Sequence, residues 1–516
     1  MPKSTFLRPY TGNVYVPDLG GVPPEAIAFA MSRFSRSAND LATSLRKVLG
    51  YPVDKQTSFF LENYHGYGHA SIADQAPIVF AIQNVSMLAI FIIWQMLQLV
   101  AGQERSSRYQ PFETTGFSFF ENPGDSTEIT AMCDLGFSNY LELHRALVES
   151  FRTRYPDERF KDEGGWMSKE VYAQKIKKPL EQISDKELLK ANQKQAEAIR
   201  RARAFDIARY LLCFGTNTNA CFLMSARSVE RLITQLLVHE LPELKFIGQE
   251  LLNNLTAGDA PLAPTMLKYA KPNRLITKRR DSLMEIRDQL GLNQPIIPIA
   301  RTSAQVIIPD TKNPILNIAA RLLYPHCTCD WQSVFKRLRR CSTTYLEGII
   351  DAGGWQRAIK EDFPRDARGS ELTVEFVMDA GAARDLNRHR ACWKQYQWLT
   401  LGPLGWDMGD CSEVQAAGFE QVFTETCNAM CHTGNIYTVP LAGLIRAVYH
   451  MNWNQFIYMT ELRSAPSGHF AYRYLTKLMV DSLSAACPLM YNHLIPRIGP
   501  GQFRFTKYEL DNFFVR

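Results

Sequence analysis

The chain matches itself at a spacing of about half its 516 residues, and its two copies retain different parts of one cationic pattern. The second copy carries Arg384-Asp385-Leu386-Asn387-Arg388-His389-Arg390, ending in three adjacent cations, where the first has Met96-Leu97-Gln98. Ten residues on, the first copy has Ser106-Ser107-Arg108-Tyr109, which the second replaces with Trp398-Leu399-Thr400-Leu401. A doubled scaffold with complementary losses predicts one composite anion-binding site per pair of halves.

The landmark spacings place an insertion in the first copy. Met96 to Lys245 spans 149 residues, the equivalent Arg388 to Arg473 spans 85, and the difference of 64 falls on residues 118–203. Lys161–Arg203 is rich in Lys, Glu, Gln and Ala with aliphatic residues at three and four, a pattern of surface helices. Pro24-Glu25 opens a helical pattern through Leu49, which Gly50-Tyr51-Pro52 stops. Tyr64–Ser71 reads as a loop, with Ser71 capping a helix from Ile72. Glu371–Asp379 alternates apolar and polar residues, as a half-buried strand does. Phe419–Thr433, Tyr437–Tyr449 and Met451–Met490 read as helices, with Gly434 closing the first and Gly468 a local break in the last. The class is α+β and mostly helical: two tandem domains, each a small mixed or antiparallel sheet packed with long helices. The first domain is 1–260, the linker 261–315 and the second domain 316–516.

Composition narrows the partners. A net charge of +6 is mild for this length and suits small anionic ligands, whereas nucleic acid needs a dense basic face. The run Lys336-Arg337-Leu338-Arg339-Arg340 reads as a solvated helix surface. Eleven cysteines, an odd number without a secretory leader at Met1–Tyr10, indicate reduced thiols and a cytoplasmic setting. His326-Cys327-Thr328-Cys329 and Cys427–His432 lack the C-x-x-C spacing of zinc knuckles, so buried inert thiols compete with a metal reading. Ile78–Ala101 is long and apolar, but Gln83, Asn84, Gln95 and Gln98 interrupt it. It is expected to be a helix buried inside the protein rather than a membrane span.

Four landmarks in order resemble the flavin-dependent thymidylate synthases, whose signature is Arg-His-Arg, seven residues, then Ser. Arg388-His389-Arg390 fits the first half of that signature and Ser106-x-Arg108-Tyr109 its tail. Gly68-His69-Ala70-Ser71 with Asp74 resembles the family's upstream Gly-His-x-Ser segment. Ser225-Ala226-Arg227 resembles its Asn-x-Arg. Gly468–Arg473 resembles its Ala-Gln-x-Glu-Ile-Arg, with His469 in the glutamine position, and Glu461-Leu462-Arg463 matches the preceding Leu-Arg. Two departures stand out: Trp398 takes the serine position in the second copy, and Lys245 stands for arginine in the first.

The resemblance implies a soluble oligomer, here a homodimer of doubled chains forming a pseudo-tetramer. It implies FAD as cofactor, with NADPH and methylenetetrahydrofolate as cosubstrates, in the conversion of dUMP to dTMP without a cysteine nucleophile. By resemblance, Arg388, His389 and Arg390 are the catalytic and flavin-holding residues, with His69 and Asn387 beside the flavin. Ser106, Arg108, Tyr109, Arg227, Arg463 and Arg473 are the nucleotide-binding residues. Planar guanidinium forks suit this work because they meet phosphate oxygens with two parallel hydrogen bonds. Alternatives stay open residue by residue: a solvated helix turn for Arg388–Arg390, a capped helix end for Ser106–Tyr109, interhelical ion pairs for Arg463 and Arg473, and a loop or core histidine for His69. A descendant that binds flavin or nucleotide without turnover is the alternative function.

Overall fold

Four times the chain runs along a strand, meets a small polar residue and turns directly into a helix. In the computed structural model the principal elements are, in chain order, β1 (Pro77–Ser86), α1 (Met87–Met96), β2 (Ala101–Glu104), α2 (Ser126–Arg154), α3 (Asp185–Ala208), β3 (Asn217–Ser225), α4 (Ala226–Leu236), α5 (Pro242–Ala257), β4 (Ser303–Ile307), β5 (Glu371–Asp379), α6 (Ala380–Leu386), β6 (Trp393–Gln397), α7 (Glu420–His432), β7 (Leu444–Asn452), α8 (Trp453–Arg463) and α9 (Phe470–Ala486). At β1–α1, β3–α4, β5–α6 and β7–α8 the last strand residue caps the helix. Ser86, Ser225, Asp379 and Asn452 accept from the backbone N–H groups of Ala89 (2.9 Å), Ser228 (3.3 Å), Ala382 (2.7 Å) and Gln455 (3.0 Å). Each bond satisfies an otherwise orphaned helix donor and fixes where extended chain becomes helical.

The structure describes residues 21–492 apart from 35–39, 53–54, 56–58, 60–70, 98–99, 109–111, 113–125, 163, 258–266, 268–269, 291, 300, 309–313, 353–370, 409–411, 466–467 and 489. The chain divides into two compact units, one of Met1–Ala81, Val100–Gln103 and Cys221–Ile286, the other of Ile82–Leu99, Glu104–Ala220 and Arg287–Arg516. The strands form two sheets, of order β1–β3–β2 and β4–β5–β7–β6. In the second every pairing is antiparallel, with Glu371 opposite Asn452 and Asp379 opposite Leu444. The fold is α+β and mostly helical, as expected.

In the smaller unit, Ala26, Phe29, Ala30, Leu45 and Val48 form a cluster that Phe59 closes, stacking on Phe29 with ring centroids 4.0 Å apart. In the larger unit α9 packs over β4 and β5, burying Leu475, Met479 and Phe376. The segment expected to be an insertion is helical as its composition predicts: α2, Asp157–Asp162, Lys169–Ile176 and α3. Its helix α2 packs on α3 and α7, where Asn139 Nδ2 donates to Thr426 Oγ1 at 2.7 Å and Arg154 pairs with Glu413.

Three expectations need correction. Ile78–Ala101 is not one helix: β-branched Ile78, Val79, Ile82 and Val85 lie in β1, and only Met87–Met96 is helical. Strand preference and the Ser86 cap divide an apolar run that hydropathy alone reads as continuous. Residues 437–449 are not a helix either. After a turn they enter β7, where Ala447, Tyr449 and Met451 are buried and Val448 and His450 half-buried, a two-residue period. Finally, Pro24–Leu49 holds two described helices, Pro24–Phe34 and Leu41–Leu49. The expected break at Gly468 falls between α8 and α9, which end at Arg463 and begin at Phe470. The Glu371–Asp379 strand and the helix ending before Gly434 are as expected, with Gly434 at φ +72°. Among the described residues no helix is long and apolar enough to cross a membrane.

Gly136 on α2 packs tightly against its neighbours: a Cβ there would lie 2.7 Å from Met430 Cε and 2.8 Å from the Leu211 carbonyl oxygen. Since the carbonyl belongs to backbone, Gly136→Ala is expected to destabilise the protein by about 1–3 kcal/mol, read as a lower urea midpoint.

Candidate functional site: a buried guanidinium network

Within the larger unit, residues remote in sequence meet in a chain of charged contacts. Arg108, in the turn after β2, is buried and grips Asp206 of α3 with both sides of its fork, Nε to Oδ1 at 2.7 Å and Nη2 to Oδ2 at 3.1 Å. Its Nη1 donates to the Tyr472 hydroxyl of α9 at 3.2 Å. Ser106 Oγ accepts from the Arg108 backbone N–H at 3.2 Å, which shapes the turn. Just past the end of α3, fully buried Arg209 donates from Nη2 to Asp385 Oδ2 on α6 at 2.9 Å and from Nη1 to Ser107 Oγ at 3.3 Å. Arg209 thereby ties the Ser106–Arg108 cluster to the segment that carries Arg388–Arg390. Gly381 permits this approach, since a Cβ there would sit 3.4 Å from Arg209 Nη2.

A second strand of contacts runs through the end of α8. Arg463 donates from Nε to His389 Nε2 at 2.7 Å and from Nη2 to the Asp385 carbonyl oxygen at 3.1 Å, and its guanidinium carbon lies 5.0 Å from the Tyr472 ring centroid. Arg384 pairs with Glu104. Arg203, one turn before Asp206, approaches Asp206 Oδ2 at 3.6 Å. Among the described residues, four guanidinium groups (Arg108, Arg203, Arg209, Arg384) thus face three carboxylates (Asp206, Asp385, Glu104), and a fifth, Arg463, joins them through the Asp385 carbonyl oxygen and His389. The excess positive charge in a largely buried setting favours an anion.

The titration of these groups follows from the geometry. Burial alone would raise Asp206, but the charge and hydrogen bonds of Arg108 hold it below the usual carboxylate range; Arg209 does the same for buried Asp385. Burial, then the charges of Arg463 and Lys394, push His389 well down, so neutral His389 accepts from Arg463. Burial, then Arg209, push His469 down to about 3. His469 caps α9: Nδ1 accepts from the Ala471 N–H at 3.2 Å, and Nε2 contacts the Asp206 carbonyl oxygen at 2.9 Å. Nε2 must therefore carry the proton, and a second proton on Nδ1 would break the cap. Burial, opposed by Cys392 and aided by Arg390, lowers Lys394 to about 8.

The remaining predicted residues are placed as follows. Arg388 is exposed at the end of α6, and half-buried Arg390 has its guanidinium carbon 4.6 Å from the Trp94 ring centroid. Asn387 is buried; its Nδ2 donates to the Phe91 carbonyl oxygen at 3.3 Å, while Oδ1 has no hydrogen-bond partner among the described residues. Arg473 is buried one turn into α9. Arg227 lies in the smaller unit, paired with Asp74 at 2.9 Å. His69 and Tyr109 lie outside the described residues. Among the described residues no three His, Cys, Asp or Glu side chains gather as a metal site would require.

Sequence reasoning missed Arg209, Asp206 and Glu104. A usable signal exists in Arg203-Ala204-Phe205-Asp206-Ile207-Ala208-Arg209, where charges three apart share a helix face with apolar neighbours. Asp385, read as an offset for the adjacent cations, is instead the partner of Arg209.

Two outcomes follow. Asp206→Ala leaves Arg108 buried without a counter-charge and is expected to cost about 3–5 kcal/mol in urea unfolding. Because His469 is held neutral when folded but titrates near 6.5 when unfolded, the unfolded state binds the extra proton and stability falls as pH drops from about 6.5 toward 3. His469→Gln should reduce that slope by about 1.4 kcal/mol per pH unit, measured by denaturation between about pH 6 and 4.

Comparison with known proteins agrees with the landmarks. Residues 22–243 match the family model of thymidylate synthase complementing protein, a span that includes Ser106–Arg108, Arg209 and Arg227 and stops short of Arg388. A UPF0159 protein of Chlamydia muridarum is 24% identical over 446 residues, 82% of this chain and 77% of the relative. One from Chlamydia pneumoniae is 23% identical over 525 residues (94% and 92%), and one from Thermoplasma acidophilum 24% over 489 (89% and 92%). Over residues 22–243, therefore, the chain is similar to the thymidylate synthase complementing protein family, and over most of its length it is similar to the UPF0159 proteins.

Proposed function

We propose that this protein is a flavin-dependent thymidylate synthase that converts dUMP to dTMP with methylenetetrahydrofolate and NADPH, at a site assembled from both halves of a tandem duplication. The observation that carries the reading is the Ser107–Arg209–Asp385 bridge, which joins the half-signature of the first copy to that of the second. The duplication is supported by topology: β1–β3–β2 and β5–β7–β6 have the same order, and each first and last-formed strand of these sets leads into a capped helix. Lys245 and Arg473 both stand fourth in their helices, α5 and α9, as the repeat requires.

The residues present fit a flavin. Arg388 offers an exposed guanidinium and Arg390 one set against Trp94, and the partnerless buried Asn387 Oδ1 can accept from a heterocyclic N–H. When bound, the flavin supplies the hydride that completes the methyl group. The chain's own contribution is to hold anions and exclude water. Arg388 and Arg390 would hold the flavin's phosphates, with His389 kept neutral and oriented by Arg463. Ser106, Arg108, Arg463 and Arg473 would hold the nucleotide, with Asp206 fixing the Arg108 fork and Tyr472 steering Nη1. Arg227 is a nucleotide contact by resemblance alone, as are His69 for the flavin and Tyr109 for the nucleotide. A homodimer of such chains, cytoplasmic and acting on small molecules, belongs to the same reading.

One observation favours a second reading, a flavin- or nucleotide-binding protein without turnover: Arg108 already satisfies its fork on Asp206 and Tyr472, so a phosphate must compete for it. The two readings separate experimentally. The synthase reading expects flavin absorption bands in the purified protein and tritium release from uracil-5-tritiated dUMP with folate and NADPH. Flavin or dUMP binding without tritium release selects the second, and protein that takes up neither added flavin nor dUMP defeats both. Arg388→Ala, which removes a charge-assisted contact of about 1.5–3 kcal/mol, should weaken flavin retention by about ten- to a hundred-fold in equilibrium dialysis.

A further inference from the structure

The insertion and the network-bearing segment meet at a pair of thiols that the proposed chemistry does not use. Cys133 lies on α2 and Cys213 four residues after Arg209, 80 positions apart in sequence, yet their Sγ atoms are 3.3 Å apart. Both are fully buried, in a cluster with Ile129 and Met430. A disulfide needs about 2.05 Å, so closure requires roughly 1.3 Å of approach (3.3 less 2.05), within the reach of side-chain rotation. Neither sulfur faces a metal-ligand set among the described residues.

The surroundings make the two thiols unequal. Burial raises Cys213, but its contacts with the Cys133 thiol and the Thr216 hydroxyl and hydrogen bonds from the Gly215 and Thr216 amides outweigh it and hold the thiol below its usual range. Cys133 is pushed up, by its hydrogen bond to Cys213 and then by burial. Cys213 is therefore the better nucleophile and Cys133 the resolving partner. The segment they would lock is not peripheral. Leu88 and Met87, which open α1, donate to the Phe214 and Thr216 carbonyl oxygens, while Phe214 and Gly215 donate to those of Val439 and Tyr437.

We infer that Cys133 and Cys213 form a redox-modification site, at which a small peroxide converts the buried dithiol to a disulfide that fastens the insertion helix to the Arg209-bearing segment. The step balances: the Cys213 sulfur attacks one peroxide oxygen to give a sulfenic acid while the other oxygen leaves as water, and the Cys133 sulfur then attacks the Cys213 sulfur and displaces the sulfenic oxygen as a second water. Hydrogen peroxide is the oxidant because it is little larger than water, and the apolar wall around the pair excludes bulkier disulfides.

The test uses the full-length reduced protein. It is exposed to hydrogen peroxide, quenched in acid, alkylated with N-ethylmaleimide and digested for mass spectrometry. A peptide pair linked through Cys133 and Cys213 is expected, lost on reduction with dithiothreitol and absent in Cys133→Ser and in Cys213→Ser. In the wild type, closing an 80-residue loop should raise the thermal midpoint, and reduction should reverse the rise. Exposed Cys221, Cys327 and Cys329 report that the oxidant acted. If these are oxidised while Cys133 and Cys213 remain fully alkylated, or if either pairs with another cysteine instead, the inference is overturned. The wild-type mapping stands as a test even where a serine variant fails to fold.

Discussion

The pairing of Arg108 with Asp206 is the contact on which the larger unit's polar interior depends. Two charges taken out of water cost several kcal/mol each, and such a pair persists only when geometry is good and the remaining donors are satisfied. Here both conditions hold: the fork is bidentate, Tyr472 takes the third donor, and the Asp206 carbonyl meets His469. Around that pair Arg209, Asp385, Arg463 and His389 form a continuation in which each polar group positions the next. Removing one member exposes the desolvation cost of its neighbour, so the network acts as a unit.

The same electrostatics connect scaffold and ligand. A buried assembly with more guanidinium than carboxylate is poised for an anion, and the neutral state of His389 and His469 keeps that excess from growing. The insertion adds a second layer. Through α2 it contacts α7 and the Cys213 segment, which lie beside the network rather than within it. That position suits control of the site's rigidity more than participation in its chemistry.

Much of the architecture was legible in the residues. The class, the helical insertion, the Glu371–Asp379 strand and the helix ending at Gly434 follow from periodicity and caps. The misreadings share one cause. Residues 77–86 and 444–452 are apolar enough for either element, and only pairing with a neighbouring strand makes them extended. Short apolar runs carry no decisive period, so tertiary context selects between the two states. For the site, Arg388–Arg390, Ser106–Arg108 and Arg463 were found through motif likeness, whereas Arg209 and Asp206 were not: their helix-face spacing marks them as a charged stripe, but partners 176 and 98 positions away cannot be read from it.

By itself, then, the sequence determined which chemical groups were available: guanidinium-rich landmarks in a fixed order, small polar caps at strand ends, thiols without metal spacing. Tertiary structure alone decided which of those charges stay available and which are spent on one another. Arg388 faces solvent, while Arg108, no different as a residue, is matched to a carboxylate from a helix nearly a hundred positions away. The reason is physical. A charge's environment depends on distances across the fold and on local dielectric, and neither is encoded in any one stretch of chain.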